Sequence, residues 1–458
     1  MVVTSVGVVA HADAVSSLKR SYDALDPAAP IRLKKRTSNL FRQRAVASAP
    51  GLDVSGLGGV ISVDPVARTA DVQGMCTYED LVATTLPYGL IPLVVPQLKT
   101  ITLGGAITGL GIESTSFRNG LPHESVIEMD VLTGAGEVVT ASPDNEHADL
   151  FAAFPNSYGS LGYAIRLRIE LEAVPGFVEL THVRFANLNA AAEAIDVISG
   201  SREWSGMRVD AVDGTAFSPD EVYLSLATFT DRQRHTSDYT GQHIYYRSIQ
   251  QREHDELTMH DYLWRWDTDW FWCSAAFGAQ NPHLRRLWPK RFRRSDVYHR
   301  LIGLDTRLGL SARLDRLRKV TGRERVIQDV EVPVARLAEF GHWFDEQVGM
   351  RPVWLCPLRL RGDRVWPHYP LSPHTTYVNV GFWGTVEVPA GSPDGMLNRL
   401  IEEKVTELGG HKSLYSDAFY DRETFDSIYG GTALDVVRKR YDPAGRLAGL
   451  YEKAVIRR

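Results

Sequence analysis

Between Pro96 and Pro122 stand five glycines, Gly104, Gly105, Gly109, Gly111 and Gly120. Thr102, Thr108, Ser114 and Ser116 interleave hydroxyls with them, and the run TLGGAITGLGIES spans Thr102 to Ser114. Glycine lets a backbone come close to a phosphate and present its N–H groups with no Cβ in the way. Such a run suits a pyrophosphate. It is not the dinucleotide fingerprint GxGxxG, because no βαβ entry strand precedes it and no acid follows at the expected distance. Taken alone, a structural glycine turn explains it equally well. Two other groupings carry chemistry. The segment DYLWRWDTDWFWCS puts Tyr262, Trp264, Trp266, Trp270, Phe271 and Trp272 within eleven positions, either as core packing or as the wall of an apolar pocket. The stretch VIQDVEVP carries Gln328, Asp329 and Glu331. As a strand it shows Asp329 and Glu331 on one face and Gln328 on the other. Either acid can donate a proton, and either can instead pair with one of many arginines. His123, His342, His368, His374 and His411 are proton donors by type, although a lone histidine is more often structural.

The elements that must position these residues follow from periodicity. VSSLKRSYDAL predicts a helix within residues 1–30, running into the turn PAAP. ISVDPVARTADVQG reads as two short strands around a turn, and VIEMDVLTGAGEVVTAS as a hairpin. TYEDLVATTLPYG is a short helix with Thr77 as N-cap and Gly89 as its stop. DLFAAFPNSYGSLGYAIRLRIELEAV begins helical, breaks between Pro155 and Gly162, and ends in a strand alternating Ile165, Leu167, Ile169 and Leu171. From about Phe177 the character changes. FVELTHVRF, VYLSLATFTD, VIQDVEVPV, PVWLCPLRL and TYVNVGFWG read as strands of one antiparallel sheet. The expected organisation is α+β in two domains, 1–176 and 177–400, with a helical segment 401–458 packing back at the domain interface.

Composition narrows the function classes. At 458 residues the chain exceeds the size at which one hydrophobic core stops growing. A net charge of −5 argues against a nucleic-acid binder, which needs a basic face. No apolar stretch approaches the roughly 20 residues of a membrane span, and the first residues lack the basic start of a secretory signal. Cys76, Cys273 and Cys356 are far apart, which speaks against a disulfide framework or a metal site and fits the cytoplasm. Arginine outnumbers lysine 41 to ten, a skew typical of a GC-rich bacterial genome.

In order and wording, PQLKTITLGGAITGLGIESTSFRNGLPHESVIEMDVLTGAGEVV followed by DLFAAFPNSYGSLGYAIRLRIEL resembles the FAD-binding domain of the vanillyl-alcohol oxidase and p-cresol methylhydroxylase (PCMH-type) superfamily. The resemblance implies that Thr102, Leu103, Gly104, Gly105, Thr108, Gly109, Gly111, Ile112, Glu113 and Ser114 wrap the FAD pyrophosphate. It also implies cofactor contacts from the turn Gly159 to Gly162 and the strand around Ile165. The family's earlier phosphate loop falls on KKRTSNLF, and its role passes to Arg36, Thr37, Ser38 and Asn39. No histidine stands there and no cysteine in the glycine run, so the FAD is expected to be non-covalent.

Past the FAD domain, RVIQDVEVPVARL, PVWLCPLRL and LYSDAFYDRETFDSIYGGTAL resemble the sterol delta-24 reductases (the Diminuto/seladin group) and the related actinobacterial 10-methylene fatty acyl reductases. That resemblance implies saturation of an unactivated carbon–carbon double bond with NADPH as transient co-substrate. A bacterial lipid, the mid-chain methylene of a fatty acyl chain, is the expected substrate; a sterol, or an alcohol or sugar oxidised instead, is the alternative. Such chemistry needs an acid and a dry aromatic pocket. Gln328, Asp329, Glu331, Tyr262 and Lys439 are the candidates for it, with Tyr415, Tyr420 and Arg440 where the superfamily's chain returns to the active site. A phospholipid substrate implies peripheral membrane contact, for which the Trp-rich segment and PKRFRR, Pro289 to Arg294, are candidates, and a functional partnership with a lipid methyltransferase.

Overall fold

The computed structural model describes residues 5–35, 41–42, 51–233, 235–308, 322–431 and 433–456. The sites assigned to Arg36, Thr37, Ser38 and Asn39 lie outside the described residues.

The first domain is built on six antiparallel strands: β1 (Val60–Asp64), β2 (Thr69–Gln73), β3 (Leu90–Pro92), β4 (Val126–Leu132), β5 (Val138–Ala141) and β6 (Tyr163–Ala173). Their order is β1-β2-β6-β4-β5, with β3 on the far end of β6. Alternation in β6 buries Leu167, Ile169 and Leu171 and turns Arg166 outward, where it pairs with Asp71, Glu128 and Asp130 at 2.5–2.7 Å. Helix α1 (Gly7–Asp23) packs beside the sheet. Helix α2 (Tyr78–Thr85) begins at Thr77, whose hydroxyl accepts the Asp80 N–H, and its end is turned by Gly89 at φ 67°.

The second domain is an eight-stranded antiparallel sheet. Its members are β7 (Phe177–Phe185), β8 (Ala211–Ser218), β9 (Glu221–Thr230), β10 (His254–Thr258), β11 (Arg323–Pro333), β12 (Val353–Leu358), β13 (Tyr377–Glu387) and β14 (His411–Lys412), ordered β10-β7-β9-β8-β12-β13-β11-β14. One face is apolar. Val326, Val330, Val332, Val378, Val380, Phe382 and Leu355 pack there with helices Leu188–Ser201, Leu337–Gln347 and Met396–Glu407. The other face turns toward the first domain and shares its core through Trp354, Cys356 and Leu358.

A boundary at residue 400 falls inside the helix Met396–Glu407, and β14 beyond it still belongs to the second sheet. Only then does the chain return. Tyr441 donates to Asp149 at 2.8 Å, Arg446 donates to the Tyr22 hydroxyl at 2.7 Å, and Lys453 donates to the Gly159 carbonyl at 2.6 Å. The architecture is mixed α+β, helices packed on two antiparallel sheets.

Candidate active site

A cavity of about 600 Å³ lies where the two sheets face each other. From the first domain it is lined by Arg32, Lys35, Thr102, Gly104, Gly105, Thr108, Gly109, Leu110, Gly111, Ile112, Tyr158 and Gly159. Trp270, Phe271, Asp329, Trp354, Trp383 and Tyr415 line it from the second domain.

The glycine run is not a plain loop. Leu103–Thr108 is a short helix, α3, with Thr102 as its cap: the hydroxyl accepts the Gly105 N–H at 3.2 Å. The first N–H groups are all taken within the protein, Leu103 by Cys76, Gly104 by Gly74, Gly105 by Thr102 and Ala106 by Thr102. These glycines therefore provide proximity rather than free donors. A Cβ on Gly104 would lie 2.6 Å from the Gly74 carbonyl oxygen, so only glycine lets α3 sit against the end of β2. A Cβ on Gly105 would stand 2.8 Å from the Thr102 hydroxyl and 3.8 Å from the Lys35 ammonium. Free donors come just after the helix. The N–H groups of Leu110, Gly111 and Ile112 make no hydrogen bond among the described residues. The turn before β6 is laced to the run, since Tyr158 donates its N–H to the Thr108 carbonyl at 2.6 Å.

Not every residue expected at the cofactor reaches the cavity. Leu103 is core, and Ile165 packs with Leu18, Tyr22 and Leu132 on the other side of the sheet. Gly162 is pressed against the Leu132 carbonyl, where its φ of 133° and the lack of room demand glycine. Glu113 and Ser114 leave the cavity for a sealed polar cluster. There Arg265 binds Glu113 at 2.8 Å and Asp213 at 3.1 Å, and the Ser114 and Tyr262 hydroxyls meet at 2.8 Å. The indole N–H groups of Trp266 and Trp354 both donate to Asp213, at 2.8 and 3.1 Å. Tyr262, on the short helix Met259–Leu263, thus ties the run to the second domain and does not face the cavity.

The parity of β11 separates its candidates. Gln328 lies on the helix-covered face, where its amide donates to Asn398 at 2.6 Å. This corrects its placement at the flavin. Asp329 lies opposite Gly381 and lines the cavity. A Cβ on Gly381 would fall 2.5 Å from the Asp329 carboxyl and 2.7 Å from the Trp383 indole, so this glycine gives both side chains their room. Asn379 donates to Asp329 at 3.3 Å, Tyr415 also hydrogen-bonds the carboxyl, and the Trp383 indole N–H donates to the Tyr415 hydroxyl at 2.8 Å. Burial pushes the Asp329 carboxyl up to about 7 against the pull of those hydrogen bonds. Glu331, two positions further along the strand, is sealed behind the cavity. Tyr369 hydrogen-bonds its carboxyl, and burial drives it well above its ordinary range.

The remaining candidates stand elsewhere. Lys439 is exposed on the helix Ala433–Tyr441, Arg440 pairs with Asp149 at 3.1 Å, and Tyr420 packs on Tyr429. Among the histidines, His342 and His374 are exposed. His123, His368 and His411 are buried, and burial lowers them to about 3, 4 and 3. Each is therefore neutral at physiological pH, and none lines the cavity. Of the aromatic segment only Trp270 and Phe271 reach it; Trp354 and Trp383 complete the wall from β12 and β13.

The lining fits FAD on its own chemistry. Lys35, Arg32, Thr102, Thr108 and the donors at Leu110–Ile112 suit a pyrophosphate. Four large aromatic side chains suit a planar ring system and an apolar partner. Gly105 leaves open the space a side chain would fill between Thr102 and Lys35.

Comparison with known proteins agrees. Residues 9–142 match the profile of an FAD binding domain. The chain is similar to the mouse delta(24)-sterol reductase, 24% identical over 416 residues that cover 88% of this chain and 75% of the relative. It is similar to the Arabidopsis thaliana delta(24)-sterol reductase, 23% identical over 448 residues with 88% and 76% covered. Over 254 residues, 51% of this chain and 44% of the relative, it is 31% identical to rice cytokinin dehydrogenase 10. Cavity lining, matched domain and relatives together identify the chain as an FAD-dependent oxidoreductase that carries an FAD-binding domain and is similar to the delta(24)-sterol reductases.

Proposed function

We propose that this protein is an FAD-dependent reductase that saturates an unactivated carbon–carbon double bond of a lipid, with NADPH as the source of hydride. The substrate proposed is the mid-chain methylene of a 10-methylene fatty acyl chain, converted to the 10-methyl branch. The observation that carries this reading is the placement of Asp329: a buried carboxyl, pushed up to about 7 by desolvation, beside Trp354, Trp383, Trp270 and Phe271 in one cavity.

An isolated 1,1-disubstituted alkene has no carbonyl to accept negative charge. Its reduction therefore runs through positive charge, with a proton added to the terminal carbon and a hydride to the more substituted one. Bound FAD, once reduced, supplies the hydride. Asp329 holds the proton, and Asn379 and Tyr415 fix the carboxyl in place. The aromatic faces stabilise the developing cation by up to about 2 kcal/mol each when water is excluded. Donation leaves Asp329 as a carboxylate, which takes its next proton from solvent. The products balance as one C–H from the acid and one from the reductant.

A sterol side-chain alkene is the second reading, favoured by the similarity to the delta(24)-sterol reductases. The test is anaerobic. The protein is reduced with NADPH, then mixed separately with a 10-methylene acyl phospholipid, a delta-24 sterol and oxygen, and flavin absorbance is followed. Reoxidation by the acyl lipid supports the proposal, and reoxidation by the sterol alone supports the second reading. Rapid reoxidation by oxygen with no response to either alkene overturns both.

A further inference from the structure

Residues Gly278 to Ser295 carry six arginines and lysines and no acid, in a chain whose net charge is −5. This segment holds the short helix Pro282–Leu287 and the turn Lys290–Phe292. Its outward side chains are of two kinds. Leu284, Leu287 and Phe292 are 51, 81 and 42% exposed, and Arg286, Lys290 and Arg291 are exposed among them. Single exposed leucines are ordinary. Three large apolar side chains within nine positions, flanked by cations, are not.

The segment is held rigidly from below. Arg285 is buried and grips Asp269 with two bonds of 2.7 and 3.0 Å, and it donates to the Gly241 and His243 carbonyls. Arg293 is also buried and donates to the carbonyls of Gly241 and Trp288 at 2.6 and 2.8 Å. Asp269 immediately precedes Trp270, which lines the cavity. The following helix, Ser295–Leu308, lays His299 against Trp270 with ring centroids 6.1 Å apart. The exposed apolar side chains are thus mounted on the back of a cavity wall.

We propose that this surface, Leu284, Leu287 and Phe292 with Arg286, Lys290 and Arg291, docks the protein on the face of an anionic lipid bilayer. The apolar side chains enter the boundary between headgroups and acyl chains, while the cations stay among the lipid phosphates. Lys290 already contacts one exposed acid, Asp238 at 3.0 Å, so it can exchange that partner for a phosphate without crossing an apolar layer. A protein partner fits less well. A specific interface needs about 800 Å² from each side, whereas the apolar contact here is three side chains on one short turn. The proposal stands on this surface alone and does not depend on which alkene the cavity takes.

The test uses the FAD-loaded full chain, with vesicles of phosphatidylcholine alone or mixed with phosphatidylglycerol, in a flotation assay. One variant carries Leu284→Ser, Leu287→Ser and Phe292→Ser; a second carries Arg286→Glu and Arg291→Glu. The wild-type protein is expected to float with the anionic vesicles and less so at high salt. Both variants should partition at least about tenfold more weakly, with flavin absorbance and Tm unchanged. Failure of the wild type to bind anionic vesicles overturns the proposal, as does wild-type binding by both variants. A wild-type dimer that dissociates in the serine variant, without vesicle binding, also overturns it and assigns the surface to a second copy of this chain.

Discussion

In water an aspartate releases its proton near pH 3.9, far too low to act as a general acid in a neutral cell. Asp329 is shifted to about 7 because the cavity strips its solvent while only Asn379 and Tyr415 compensate. The sign of the resulting pH dependence is fixed. The donating form is the protonated one, so alkene reduction runs at full rate below about pH 7 and falls about tenfold per unit above it. A stopped-flow profile with saturating substrate checks this. Glu331 belongs to stability rather than to proton donation. Its folded-state pKa lies above its unfolded value, so the native form keeps a proton that the unfolded chain releases, and stability is lost as pH rises beyond the ordinary carboxylate range. Glu331→Gln removes that loss. Its Tm is expected to match the wild type near about pH 4 and to exceed it increasingly toward about pH 8, as thermal unfolding across that range will show.

At the scale of elements, period-2 alternation made much of the site legible. VIQDVEVP sorted Gln328 from Asp329 and Glu331 before any contact was known, and only the choice of face required the structure. The hairpins and five of the eight strands of the second sheet were readable in the same way. Trp354 and Trp383 were not, because β12 and the first half of β13 are buried on both faces and parity then points nowhere. The glycine run misled in one respect. Its composition suggested donors throughout, yet four N–H groups are consumed in capping a six-residue helix and tying it to Gly74 and Cys76, a helix too short to announce itself by periodicity. Gly104 tests that reading. Gly104→Ala sets a methyl against the backbone of Gly74, and the strain is expected to cost about 1–3 kcal/mol and to weaken FAD retention. Denaturant unfolding and flavin release on gel filtration measure the two effects.

For the whole molecule, two sheets close on one cavity, and the buried cluster of Arg265, Glu113 and Asp213 fastens them beside it. Arg265→Met leaves two carboxylates buried without their cation. The expected loss is about 3–5 kcal/mol, together with looser seating of Trp354, whose indole shares Asp213. Chemical denaturation and tryptophan emission report these outcomes. The central claim is that this enclosure exists to place one proton donor, Asp329, beside a hydride source in an aromatic chamber. The most direct measurement is anaerobic reoxidation of the reduced protein by a 10-methylene acyl phospholipid, for the wild type and Asp329→Asn, from about pH 5 to about pH 9. The account predicts that Asp329→Asn keeps its FAD and its reduction by NADPH, yet is reoxidised at least about 100-fold more slowly and without the wild type's fall above about pH 7. Reoxidation of Asp329→Asn at the wild-type rate, or a wild-type rate that does not vary across that range, would contradict it.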